Sequence, residues 1–367
     1  MSSNCLIPWA KPQFWGDEQR YVSDALSSTW ISGGPYVDRL EAAFGAYADR
    51  EHAVATSNGT TALHLAYLAL GIGAGDEIIV PGFAFMAAAN TALHVGAVPV
   101  FADVDRASWC VTSADIERQL SPRTRAIVPV HTYGNVCAMD GIMELAERRG
   151  IPIIEDAAEA FGSRYRGRMA GAIGLIGTFS MHATKTITTG EGGMVLTGDD
   201  ALHQKMLLYR SHGMGRTRYW HDVAGHNFRL TNMQAAIGCA QLEQIDLIIA
   251  KRRRMLAAYR KCLIGIPGIV MQQFAPEVDP VPWVVAVKLE PQAYPQGRDA
   301  VMGELEQAGI ETRPGFYTPT RMTHLYSADT LPNADNVSDW VVALPSFPTL
   351  LDEQIEFICL QLKRLRR

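Results

Sequence analysis

A lysine followed closely by a glycine-rich turn, in GTFSMHATKTITTGEGGMVLTGD, is the residue of this chain best suited to covalent chemistry. Burial and neighbouring charges lower a lysine's affinity for a proton, and the neutral amine can then form a Schiff base with an aldehyde. Taken alone, Lys185 ahead of Gly190, Gly192 and Gly193 also fits a surface lysine before a turn. Asp156 ends an apolar run in IPIIEDAAEAFGS. A carboxylate there suits the nitrogen of a pyridine ring, although a strand-end aspartate also serves as a helix N-cap. In ATSNGTTALHL, Gly59, Thr60 and Thr61 stand where backbone N–H groups open a helix. Such a terminus cradles phosphate. Ser180 can add a hydroxyl, and Phe85 in PGFAFMAAAN either stacks over a flat ring or packs in the core. An imine-forming amine, an acid for a ring nitrogen and a phosphate cradle are together the needs of pyridoxal phosphate.

These residues need a frame that brings them to one edge. From about residue 51, short apolar runs (HAVATS, EIIVPGF, VPVFADV, TRAIVPVH, IPIIEDAA) alternate with helical periods such as TTALHLAYLAL and IMELAERRG. That alternation predicts an α/β fold with a mostly parallel sheet covered on both faces, whose chemistry lies beyond the carboxyl ends of the strands. GGMVLTGD reads as a further strand, followed by a polar and apolar mixture from Asp200 to Gly225. Residues 232–264 read as one long or kinked helix. The expected division is a large domain over 1–245 with an N-terminal arm and a small α+β domain over 246–367. In the latter VPWVVAVKL is a strand, and GRDAVMGELEQAG and DEQIEFICLQLKRLRR are helices.

The 367 residues carry 33 basic and 38 acidic side chains, a net charge of −5 that offers no field for nucleic acid or an anionic membrane. The basic clusters Lys251 to Arg254 and Lys363 to Arg367 are expected as solvated cations at helix ends. Six cysteines (Cys5, Cys110, Cys137, Cys239, Cys262, Cys359) lack metal-ligand spacing, so no metal and no disulfide framework is expected. With no leader pattern and no apolar run long enough to cross a bilayer, a cytoplasmic protein is expected.

SNGTTALHLAYLAL, GDEIIVPGFAFMAAANTALHVGAVPVFADVD, PVHTYGN, IEDAAEAFGS, FSMHATKTITTGEGGMV and HNFRLTNMQAAIG, in that order, resemble the DegT/DnrJ/EryC1/StrS sugar aminotransferases from about residue 7 to the end. KTITTGEGGMV and RYWHDVAGHNFRLTN look most like the perosamine synthase branch of that family. The resemblance implies an aspartate-aminotransferase-like fold of type I with a seven-stranded sheet, usually a homodimer with pyridoxal phosphate at the shared interface. It implies that Lys185 bonds the cofactor, Asp156 meets the pyridine nitrogen and Phe85 stacks on the ring. Gly59, Thr60 and Ser180 would hold the phosphate, with Asn227 reaching it from the neighbouring subunit and Arg229 close by. Glu159 matches a position near the cofactor hydroxyl and the substrate. Trp30, Arg313 and Tyr317 lie in segments that border the family's sugar pocket. His182, where the run before the lysine departs from the perosamine synthase pattern, either contacts substrate or is packed.

The implied reaction moves an amino group from glutamate to a nucleotide-linked ketosugar, first among them GDP-4-keto-6-deoxymannose. A 3-ketohexose, a keto-octulosonate and a cyclitol ketone remain open, as do glutamine as donor and a tetramer. The related sugar dehydratases carry histidine at the Schiff-base position, where this chain has Lys185. A non-catalytic pyridoxal phosphate-binding protein is the reading from another class, and every mapped cofactor position here carries a residue able to act. A nicotinamide dehydrogenase would need G-x-G-x-x-G after the first strand, and the turn is SNGTT.

Overall fold

The computed structural model describes residues 7–325 and 330–367, so Cys5 lies outside the described residues. Seven strands build the main sheet: β1 (His52–Thr56), β2 (Glu77–Pro81), β3 (Val98–Ala102), β4 (Thr124–Ile127), β5 (Ile154–Asp156), β6 (Ile176–Ser180) and β7 (Gly193–Thr197). Their order is β3-β2-β4-β5-β6-β7-β1, with β4 and β5 joined by bridges at Ile127–Ile153 and Val130–Asp156. The sheet is parallel except at β7, which runs antiparallel to both neighbours.

Alternate side chains along each strand enter two different cores. Ile78 and Val80 pack with Val54, Ile154 and Val195 on one face, while Ile79 packs with Ala53, Ala55, Ile153, Met194 and Leu196 on the other. Both faces are thus dry, which is why the strands read as continuous apolar runs and not as polar-apolar alternation. The helix Gly59–Ala69 covers one face through Leu63, Leu65 and Tyr67. The other is covered by Leu40 and Phe44 of Pro35–Ala48 and by Ile142 and Leu145 of Met139–Arg149.

The stretch from residue 232 is a helix broken at Gln244, into Asn232–Glu243 and Ile245–Leu263. Beyond it an antiparallel sheet places Ile269–Met271, Ala286–Leu289, Val341–Ala343 and Arg313–Pro314 side by side. Met255, Tyr259, Leu305 and Ile355 form a third core on this sheet.

Three local expectations need correction. Within the mixture after Asp200 there is a regular helix, Asp200–Arg210, begun by the Asp199 side chain accepting from the Leu202 N–H at 2.8 Å. The strand read in VPWVVAVKL starts only at Ala286, because Val281 to Val285 are buried as irregular chain. Lys251 to Arg254 fall in the interior of Ile245–Leu263 and not at its end, and Arg252 is buried there.

Candidate active site

The carboxyl ends of β1, β5 and β6 and the chain after β2 and β4 open on one cleft of about 1060 Å³. Lys185 lies on its floor, in the turn after β6, with its side chain 13% exposed. Its Nζ is 3.9 Å from Glu159 Oε1 and 3.5 Å from the centre of the Trp283 ring. The indole is fixed by donating from Nε1 to the Thr184 carbonyl at 2.8 Å. Glu159 in turn accepts from the backbone N–H of Tyr133 at 2.8 Å, a residue held at a left-handed φ of 60°. Asp156 is buried at the end of β5, with Oδ1 accepting from the Ala158 N–H at 3.1 Å.

At the end of β1 the Asn58 side chain caps the helix Gly59–Ala69. It accepts from the Thr61 N–H at 2.9 Å, and Thr61 Oγ1 accepts from the Asn58 N–H at 3.1 Å. This corrects the expected cradle, because the Thr61 N–H is spent on the cap. The N–H groups of Gly59 and Thr60 make no hydrogen bond to protein among the described residues. A Cβ on Gly59 would stand 2.9 Å from Ser180 Cβ, and one on Gly193 would stand 2.2 Å from the Asn58 carbonyl oxygen. The glycines let β6 and β7 close against the helix start.

Phe85 also lines the cleft, 63% exposed. So do His182, Arg313 and Tyr317. His182 Nδ1 is 3.2 Å from Thr184 Oγ1, and its Nε2 is 3.9 Å from Glu191 Oε1. Arg313 pairs with Glu311 and lies over the Trp9 ring, while the Tyr317 hydroxyl accepts from Arg298 at 3.4 Å. Trp30, Asn227 and Arg229 do not line this cleft. The Trp30 ring is exposed, and its carbonyl accepts from Asn232 Nδ2 at 2.7 Å. Arg229 Nε donates to Asn227 Oδ1 at 3.0 Å, both side chains being exposed.

The sequence profile of the DegT/DnrJ/EryC1/StrS aminotransferase family matches residues 13–363. The chain belongs to this family. A GDP-perosamine synthase of Escherichia coli O157:H7 is 42% identical over 357 residues, 96% of each chain. The fold is shared with an aminotransferase from Psychrobacter cryohalolentis, at 31% identity and a TM-score of 0.90 over 98% of each chain. It is shared too with the PLP-form of a sugar aminotransferase from Streptococcus pneumoniae, at 25% identity and a TM-score of 0.92 over 98% of each chain.

The aminotransferase cofactor is pyridoxal phosphate, and the cleft fits it. Two unspent N–H groups at a helix start suit a phosphate, an exposed aromatic face suits a ring, and a buried acid suits the ring nitrogen. Burial pushes the Lys185 amine below the ordinary lysine range, against the opposing pull of Glu159 and Asp156. Burial likewise raises the Asp156 carboxyl, opposed by the Ala158 N–H and the charge of Lys185. It raises Glu159 to about 7, opposed by Lys185 and the Tyr133 N–H. The cleft thus holds an amine lowered and two acids raised by the same burial, the setting in which groups of opposite kind share protons.

Sequence reasoning missed Trp283, Tyr133, Arg252 and His64. Trp283 was hidden in an apparent strand, and its position follows from chain packing some hundred residues downstream of the lysine. His64 lies on the cleft-side helix, where burial and the nearby His226 and His94 lower it to about 4. The signal for it in sequence was its spacing of four residues after Thr60, on the same helix face.

Proposed function

We propose that the protein transfers the amino group of glutamate to the keto carbon of GDP-4-keto-6-deoxymannose, giving 2-oxoglutarate and the 4-amino sugar. The observation that carries this is the buried Lys185 amine, set between Glu159 and Trp283 on the floor of a cleft large enough for a nucleotide sugar. The GDP-linked substrate rests on the synthases that resemble the chain over nearly its whole length.

Bound pyridoxal phosphate supplies an electrophilic carbon and a ring that takes up an electron pair. Lys185 Nζ would hold it and, when free, would remove the proton from the glutamate α-carbon. In the second half Nζ delivers a proton to the sugar carbon that bears the new nitrogen. Asp156 keeps a proton on the ring nitrogen. Gly59, Thr60 and Ser180 bind the phosphate, Phe85 packs over the ring, and Glu159 shares protons with Lys185 Nζ. His182, Arg313 and Tyr317 address the substrate, and Trp30, outside the cleft of its own chain, borders the sugar pocket of a second copy. Asn227 and Arg229, which lie outside the cleft of their own chain, complete the phosphate site of a second copy in a homodimer. The residues of 1–245 carry the chemistry and those of 246–367 close over it. The same reading sets the protein in the cytoplasm, where its buried cysteines stay reduced. Among the described residues no helix is long and apolar enough to cross a membrane.

The test is to incubate the loaded protein with glutamate and GDP-4-keto-6-deoxymannose and to follow both products by mass spectrometry. Equal amounts of 2-oxoglutarate and GDP-linked 4-amino sugar are expected. Cofactor-loaded protein that aminates only a different ketosugar would overturn the substrate assignment.

A further inference from the structure

Arg252 is an arginine whose place in the structure its sequence neighbours do not share. Arg253 and Arg254 pair at the surface with Asp279 and Asp352, each at 2.6 Å. Arg252 is only 2% exposed and has no carboxylate partner among the described residues. Its Nη1 donates to the carbonyls of Pro282 at 3.1 Å and Trp283 at 3.0 Å, and its Nη2 donates to the Lys185 carbonyl at 3.2 Å. Its Nε is buried without a partner. A buried guanidinium without a counter-ion is costly, since carbonyl dipoles return only part of its lost hydration. A neutral donor could tie the same main-chain oxygens at lower cost.

We propose that Arg252 is the positioning residue of the active-site amine, its guanidinium tying the Lys185 and Trp283 main chains so that Nζ rests on the indole face. This rests on the reading that Lys185 bonds the cofactor. The tie spans the two segments that meet at the amine: the turn after β6 and the irregular chain of Val281 to Val285. Its second effect is electrostatic. The groups that face Lys185 are Glu159 and Asp156, reached from β5, the Trp283 ring from the small-domain side, and Arg252 from the helix behind. The two carboxylates and the indole face favour the ammonium form, and the buried guanidinium opposes it. Arg252 therefore adds to burial, the larger influence, in favouring the neutral amine against the two carboxylates.

The experiment compares wild type with Arg252→Gln, which loses the charge and one arm of the tie, and with Arg252→Lys, which keeps the charge but not the two-armed donor. In cofactor-free protein, the rate at which an acylating reagent labels Lys185 is measured by peptide mass spectrometry from pH 6 to 10. Labelling of the Gln variant at pH 7.5 should fall about tenfold, its profile moved up by roughly one pH unit. Arg252→Lys should recover only part of it, because one ammonium does not span the carbonyls that both guanidinium arms reach. In loaded protein the Gln variant should lose about tenfold in kcat with the glutamate KM within twofold. A folded Arg252→Gln variant with the wild-type labelling profile, or a folded Arg252→Lys variant indistinguishable from wild type, overturns the proposal. If Arg252→Gln melts before measurement, Arg252→Lys decides it, because wild-type labelling and kcat there, with the two-armed tie gone, overturn it. Borohydride trapping of wild type tests the underlying reading separately, because labelling is read without cofactor.

Discussion

A lysine amine serves as a proton carrier only if some of it is neutral, and three opposed influences on Lys185 decide that. Burial, the largest, favours the neutral amine, the carboxylates of Glu159 at 3.9 Å and of Asp156 favour the ammonium, and Arg252 adds to burial from behind. Replacing Lys185 with alanine should lower amino transfer by at least about 10³-fold, since anchor and proton carrier go together. That is checked by single-turnover kinetics with glutamate. Glu159 makes a second prediction. Its carboxyl is raised from 4.5 to about 7, so the folded cofactor-free protein binds more protons than the unfolded chain in that window. Its contribution is present below the unfolded value and is lost as pH rises through the folded one. Glu159→Gln should remove this loss, and denaturant unfolding at pH 5 and pH 7.5 should show the mutant flatter by on the order of 2 kcal/mol. Lys185 and Asp156 were legible as residues because their roles demand a type at a strand end. Trp283 and Arg252 were not. Each acts through a contact that exists only once the Val281 to Val285 chain and the long helix have packed behind the lysine.

At the scale of elements, the phosphate cradle depends on a helix start kept open on one side and capped on the other. Asn58 and Thr61 satisfy each other, which leaves Gly59 and Thr60 free to bind. Asn58→Ala should cost about 1 kcal/mol in thermal unfolding, as the loss of a helix cap commonly does. Gly193→Ala is more severe, because a Cβ would press to 2.2 Å on the Asn58 carbonyl and push β7 off the helix start. It should lower stability by about 2–3 kcal/mol and weaken cofactor binding at least tenfold, measured by melting and by fluorescence titration. The strands themselves were visible as apolar runs because both faces are buried. The reversed direction of β7 was not, since direction is set by the connection from β6 through the lysine turn and leaves no mark on composition. The helix Asp200–Arg210 escaped for a related reason: its core side buries Leu202 and Met206 amid polar neighbours, a weak stripe.

At the scale of the molecule, the cleft lacks Asn227 and Arg229, which are exposed, as are the rings of Trp30, Tyr219 and Trp220. In the proposed homodimer, a second copy covering such exposed aromatics would bring Asn227 to the phosphate. Asn227→Ala and Lys185→Ala should each be nearly inactive alone. Mixed and reassociated, they should recover roughly a quarter of wild-type activity, because half the dimers are hybrid and each hybrid holds one intact site. No recovery in verified hybrids would mean that each site is complete in one chain.

The most direct test of the whole account is to reduce the purified, cofactor-loaded protein with borohydride, digest it and find the labelled peptide, before and after adding glutamate. A pyridoxyl mass on Lys185 in wild type, lost from the protein when glutamate is added first, is the predicted result. A label on another lysine, or a label on Lys185 that glutamate does not release, would contradict it.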